Sequence, residues 1–467
     1  MAKRAEQAPK KPSLARGFIQ PPPVPEVEQI TTEAEQAPAA TPEVEQAPVA
    51  APKAKTSPLP PRADKESLEL ENPFVESTAP TGRLSQKSVR AKPAAQPVEK
   101  EQSAPKPERK QPEPTLLPPL FVGIDLGTSR TTIMSSRGAK GLVRTVVGYP
   151  KDIIGVMLTN STLTFGDDAL ERQSYLDIHY PLENGLLKAD ELHTQAAREL
   201  MEHAIFLAKP QPGEKIFGIV GVPAEASITS KNQLLAIAQE LMDVAMVISE
   251  PFMVAYGLVK LKNAIIIDIG AGSIDICAMK GNIPGPDDQI TLFKGGDFVD
   301  QCLARSITEN HPKVQMTPVL ARKIKDQFGF VGKPREKILV NLRADGRPVT
   351  LDLTREIRGA CETLVKSILD GVEALIQSFD PDDQGEAVEN IVLAGGGSNI
   401  KGLDVALATR LRDYGQVQVH RVADPDYAGS AGALKLASEL PPEYWNQLGD
   451  VAGNPEEQSA QMARFGG

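Results

Sequence analysis

Two short stretches set an aspartate, a glycine and small polar residues between apolar runs: IDLGTSRT at 124–131 and IDIGAGSID at 267–275. Asp125 matches Asp268 and Gly127 matches Gly270, at a spacing of 143 residues. A carboxylate in apolar surroundings costs several kcal/mol unless it is compensated. Each aspartate must therefore face water at a strand end or hold a cation. Glycines let backbone N–H groups approach an anion without interference from side chains. One Asp-x-Gly turn is an ordinary structural feature, but two with the same framing strands indicate an internal duplication. Facing each other across a cleft, they would grip a polyphosphate and orient a hydrated Mg2+, which needs only one or two carboxylates beside phosphate oxygens and water.

A third glycine-rich element lies in ENIVLAGGGSNIKGLDVALATRL, residues 389–411. Its pattern predicts a strand over Ile391–Ala394, then Gly395, Gly396 and Gly397, then an amphipathic helix from about Leu403. Such a junction lets a flat ring or a phosphate come close to the backbone. No GxxxxGK[ST] string occurs, and GxGxxG with a following ribose-binding acid is missing too, which excludes the two commonest phosphate-loop architectures.

The elements that must position these residues are strands. Ile265, Ile266 and Ile267 lead into the second turn, and Ile274, Ile276 and Ala278 lead out of it. The stripe Leu234, Leu235, Ile237, Ala238 and Leu241 has the spacing of a helix face turned to a core. Regular apolar patterning starts near Leu120. Of 40 prolines, 23 precede that residue, whereas of 37 glycines only Gly17 and Gly82 do. The first 118 residues repeat phrases such as EAEQAPAATP and EVEQAPVAAP and bury too little apolar surface to offset ordering entropy, so they are expected to be disordered. The net charge of −10 argues against a nucleic-acid partner. No apolar run approaches the ~20 residues of a membrane span, and no apolar segment follows the basic N-terminus, so the expected location is the cytoplasm. Cys277, Cys302 and Cys361 are read as reduced, structural thiols, and the five histidines show no metal-ligand spacing.

Five motifs in order resemble those of the actin-like ATPase superfamily, which shares its core with DnaK-type chaperones and sugar kinases. They are IDLGTSRT, SEPFMVAYG (249–257), IDIGAGSID, VLAGGGSNIKGLD (392–404) and DPDYAGSAGALKLA (424–437). VGVPAEASITSKNQL (220–234), KGGDFVDQCL (294–303) and ARKIKDQFG (321–329) are similar to segments of the bacterial MreB group, and SEPFMVAYG is similar to its branch of filaments that organise magnetosome chains.

The resemblance implies an α/β, actin-like ATPase fold: two similar lobes, duplicated ribonuclease H-like cores, around a nucleotide cleft. The first lobe would cover 119–258 with a small insertion at about 148–186, and the second 259–425 with an insertion at about 308–369. A helix at 426–445 would return to the first lobe before a flexible tail at 446–467.

The resemblance also implies ATP and Mg2+ as cofactors and a slow ATPase activity. Asp125 and Asp268 would orient the metal, and Glu250 would position or deprotonate the attacking water. On the residues alone, Glu250 could equally be a charge at a helix start. Amides around Gly127, Thr128, Ser129, Gly270, Ala271 and Gly272 would surround the phosphates, with Arg130 and Ser273 adjoining. Gly296 and Asp297 would lie by the ribose, Lys325 near the sugar or adenine, and Gly395, Gly396, Gly397 and Ser398 by the base or α-phosphate. Two departures stand out. Arg322 occupies a place where the family usually has glutamate, and Arg130 replaces a frequent asparagine and could reach a phosphate or extend to solvent.

The implied function is a filament built by head-to-tail contact between copies of the chain; the N-terminal arm, in which this chain departs from the MreB group, is read either as a tether for adaptor proteins or as a passive solvated spacer. The competing expectations are a monomeric ATP-dependent switch and an MreB-like cell-shape filament. A chaperone is disfavoured by the short segment after the core, and an FtsA-type protein by a C-terminal stretch without an amphipathic membrane helix.

Overall fold

The structure is a computed structural model that describes residues 117–451. The arm at 1–116 and the last residues, 452–467, lie outside this range, and so do nearly all of the expectations placed on the arm.

The first lobe is built on a five-stranded sheet. Its strands are β1 (Leu120–Leu126), β2 (Arg130–Ser135), β3 (Lys140–Arg144), β4 (Ile216–Val222) and β5 (Val244–Ser249), in the order β5-β4-β1-β2-β3. The second lobe repeats it with β6 (Lys262–Ile269), β7 (Ile274–Lys280), β8 (Gln289–Leu292), β9 (Ile391–Ala394) and β10 (Val419–Arg421), in the order β10-β9-β6-β7-β8. In both sheets the first three strands form an antiparallel meander, while the fourth and fifth join parallel to the first. Parallel neighbours require crossover connections, which here carry helices. In the first lobe these are α1 (Glu191–Leu207) and α2 (Ile228–Leu241). The lobe ends with α3 (Glu250–Leu258).

In the second lobe α4 (Gly296–Asn310) and α5 (Pro318–Phe328) follow the meander, α6 (Thr354–Ile376) leads back towards β9, and α7 (Leu403–Arg410) joins β9 to β10. The chain closes with α8 (Ala428–Glu439) and α9 (Pro442–Val451).

Why β6 and β7 read as near-continuous apolar runs follows from their place in the sheet: both faces are covered. Ile265, Ile267, Ile269, Ile274 and Ile276 face the core under α4 and α6, while Ile266, Cys277 and Met279 face Val254 and Ala255 of α3. The last helix of each lobe thus crosses to serve the other. Ile219 of β4 packs in turn with Ala433, Leu436 and Ala437 of α8. Helices α3 and α8 meet at glycines: a Cβ on Gly432 would lie 1.8 Å from the Met253 carbonyl oxygen. Backbones approach this closely only where no side chain intervenes.

Two expected boundaries are corrected. The second insertion does not run to 369: it comprises α5 and the hairpin Leu339–Ala344/Arg347–Asp352, whereas Leu364, Val365, Ile368 and Val372 of α6 belong to the lobe's own core. The segment expected as a flexible tail from 446 begins inside α9, whose Trp445 is only 2% exposed among Phe121, Phe217 and Val244. Its indole Nε1 donates to the Ala437 carbonyl at 3.2 Å.

Candidate functional site

The two Asp-x-Gly turns close in the same way. Gly127 N donates to the Arg130 carbonyl at 3.1 Å, and Gly270 N donates to the Ser273 carbonyl at 2.9 Å. Asp125 pairs in register with Thr132, and Asp268 with Asp275. The hairpins thereby present equivalent carboxylates and equivalent loops from two lobes to one cleft of about 460 Å³. Asp125, Glu250 and Asp268 line it, as do Gly127, Thr128, Ser129 and Arg130 from the first loop and Gly270, Ala271, Gly272 and Ser273 from the second. Gly296, Asp297 and Lys325 form one side, and Gly395, Gly396 and Gly397 another. Ser398 does not line the cleft: its buried hydroxyl donates to the Gly395 carbonyl at 2.7 Å, so it shapes the loop from beneath.

The electrostatics of this cleft are dominated by buried carboxylates. Glu250 stands at the first position of α3, directly before Pro251, and its Oε1 is buried without a hydrogen-bond partner. Burial first, then the Asp125, Asp275 and Asp268 carboxylates, raise its pKa well above the ordinary value. Asp268 is raised well above its ordinary value by burial and by Asp125 and Asp275. Burial, with Asp426 second, pushes Asp125 up to about 6. Like charges gathered away from water are held only if a proton or a cation offsets them. Among the described residues no group of three or more His, Cys, Asp or Glu side chains converges as a metal cage. The donor set is therefore hard carboxylate oxygen, two or so groups at a time, which suits a hydrated magnesium ion carried in with phosphates.

Backbone conformation guards these carboxylates. Gly395 has φ +71°, and a Cβ there would lie 2.3 Å from Asp268 Oδ1. A Cβ on Gly429, at the start of α8, would lie 2.5 Å from Asp125 Oδ2.

Arg130 lines the cleft and is about one-third exposed. It pairs with Asp426, on the loop before α8. Three further residues matter that the sequence reading passed over. Asp426 lines the cleft mouth. Asp275, 1% exposed, accepts from the Ala224 amide at 2.8 Å and from the Thr291 hydroxyl at 2.6 Å, tying the loop after β4 to the second lobe. Glu225 adds to that tie by accepting from Thr291 N at 2.6 Å. The signal for Asp275 was present: it is the second aspartate of IDIGAGSID, where the first hairpin has Thr132.

Two sheets of identical strand order, exchanging their final helices around an acidic, glycine-lined cleft, define the actin-like class of nucleotide-binding folds. The chain matches the MreB/Mbl protein family over residues 120–442 and belongs to it. It is 50% identical over 336 residues to the actin-like protein MamK of Paramagnetospirillum magneticum (strain ATCC 700264 / AMB-1), covering 72% of this chain and 97% of that protein. Among solved structures it is similar to a MamK double helical filament, with TM-score 0.68 and 49% identity over 69% of this chain and all of the other. A non-polymerising MamK variant bound to AMPPNP is likewise similar, with TM-score 0.57 and 48% identity over 69% of this chain and 99% of that one.

Proposed function

We propose that this chain binds and slowly hydrolyses ATP and assembles into an actin-like filament that positions an intracellular structure, such as a magnetosome chain. The observation that carries the reading is the pair of equivalent Asp-x-Gly loops meeting around one cleft beside the buried, unpartnered Glu250 Oε1. Similarity to MamK chains that form filaments and bind AMPPNP supports both halves of it.

In this reading the amides of the two loops bind the β- and γ-phosphates, and Asp125 and Asp268 hold the hydrated magnesium ion. When bound, that ion supplies charge neutralisation on the phosphate oxygens. Glu250 holds a water in line with the γ-phosphorus and takes its proton as the oxygen–phosphorus bond forms. The bond to the bridging oxygen breaks, and ADP and inorganic phosphate result. A raised pKa makes Glu250 a better proton acceptor than a solvated carboxylate. Head-to-tail contacts are heterologous and do not close on themselves, so they generate open filaments. Hydrolysis weakens the stack.

The test is pelleting and electron microscopy of purified protein with Mg2+ and ATP, alongside Glu250→Ala. Filaments from both proteins, with phosphate release lost in the variant, are expected. Soluble monomers at every concentration would overturn the filament reading, and normal phosphate release by the variant would overturn the role of Glu250.

A further inference from the structure

Arg322 projects from α5, in the second-lobe insertion, and uses all three guanidinium nitrogens. Nε donates to Asp300 Oδ2 at 3.0 Å, Nη2 to Asp297, and Nη1 crosses to the first lobe to donate to Ser129 Oγ at 3.1 Å. Asp297 is itself fixed to the second phosphate loop, because its amide donates to the Ala271 carbonyl at 2.8 Å. One planar group therefore links both loops that line the cleft. A lysine, a single point of charge on a flexible stem, cannot serve three such partners in fixed directions.

The chemistry at Ser129 follows from this contact. A hydroxyl has one proton and two lone pairs. When its oxygen accepts from a cation, the proton remains to be donated elsewhere, and polarisation makes it a stronger donor. The arginine is also not waiting for a ligand to neutralise it. Arg322 and Lys325 stand against Asp297, Asp300 and Asp326, with Lys325 Nζ 2.8 Å from Asp300 Oδ1 and 3.9 Å from Asp326 Oδ1, so carboxylates of the second lobe already offset both cations.

We propose that Arg322 is a positioning residue for phosphate recognition: held by two aspartates of the second lobe, it commits the Ser129 hydroxyl of the first lobe to donate to the polyphosphate of a bound nucleotide. This rests on the nucleotide reading above.

The experiment is fluorescence titration of the full chain with a mant-labelled ATP analogue and Mg2+, using wild type, Ser129→Ala, Arg322→Lys and the double variant. Losing one charge-assisted hydrogen bond weakens binding about tenfold. Each single variant is expected to show that loss, and the double variant to be no weaker than the weaker single. Additive losses, or undiminished binding by either single variant, overturn the proposal. Ser129→Ala disturbs no ion pair and decides the matter alone should Arg322→Lys fail to fold. Failure of wild type to bind the analogue overturns the nucleotide reading and this proposal together. Wild-type binding with an additive cycle overturns only the role of Arg322.

Discussion

Glu250 carries a buried carboxylate oxygen with no hydrogen bond, and burial first, then the charges of Asp125, Asp275 and Asp268, raise its pKa. Glu250→Gln removes the proton acceptor and keeps the shape. We expect nucleotide binding to persist while phosphate release in a single-turnover assay falls on the order of a hundredfold or more. Asp125 sets a pH dependence. Its folded pKa of about 6 lies above the ordinary 3.8, so its contribution to stability is complete below about 4 and lost as pH rises through 6. A cation binds the deprotonated form and competes with the proton. Mg2+ with AMPPNP should therefore raise the melting temperature more at about pH 7.5 than at about pH 5, and an equal rise at both would count against a cation at Asp125. Asp125 and Asp268 were legible because acids in apolar strings need a reason, whereas Glu250 was singled out only through the resemblance of SEPFMVAYG. Asp275 was marked as the second aspartate of IDIGAGSID, but its partners, like that of Asp426, are remote in the chain and were not legible.

Helices α3 and α8 join the two lobes, because each packs on the sheet of the other lobe's chain segment. Their crossing at Gly432 leaves no room for a methyl group. Gly432→Ala should cost about 1–3 kcal/mol or more in urea unfolding, since overpacking a close backbone contact forces the helices apart. Unchanged stability would show that the crossing relaxes freely. Strand β9 was legible to the residue and α7 began where its pattern predicts, at Leu403. The start of the core part of α6 was not: its apolar stripe runs continuously from the inserted hairpin into the lobe, and period alone does not tell which core a stripe meets. The stretch forming α9 is polar in composition, and its single Trp445 reveals its partner only once Phe121 and Phe217 are in place.

At the scale of the molecule, the duplication supplies two loops and the ties between lobes bring them together: Ser129 with Arg322, Ala224 with Asp275, Arg130 with Asp426. Ser129, Arg322, Arg130 and Asp426 line the cleft, so two of these contacts adjoin whatever fills it. The described range, by its similarity to a filament-forming MamK chain, carries the assembly surface in the proposed function. Deleting residues 1–118 should therefore leave ATP-dependent pelleting intact within about a factor of two and alter filament bundling or recruitment of other proteins instead. Loss of pelleting in the deletion would place assembly in the arm.

The sequence by itself determined the strands, the duplicated Asp-x-Gly turns and the family, because these depend on local periodicity and on residue types a few positions apart. Only the tertiary structure decided that α3 and α8 exchange lobes, that Arg130 is taken up by Asp426, and that Arg322 reaches Ser129. Those outcomes rest on contacts spanning 179 to 296 residues, such as Lys435 with Tyr256 and Arg130 with Asp426. Charge and hydrogen-bonding capacity are written in each residue, but the partner that satisfies them is chosen by the packing of the sheets that bring it near.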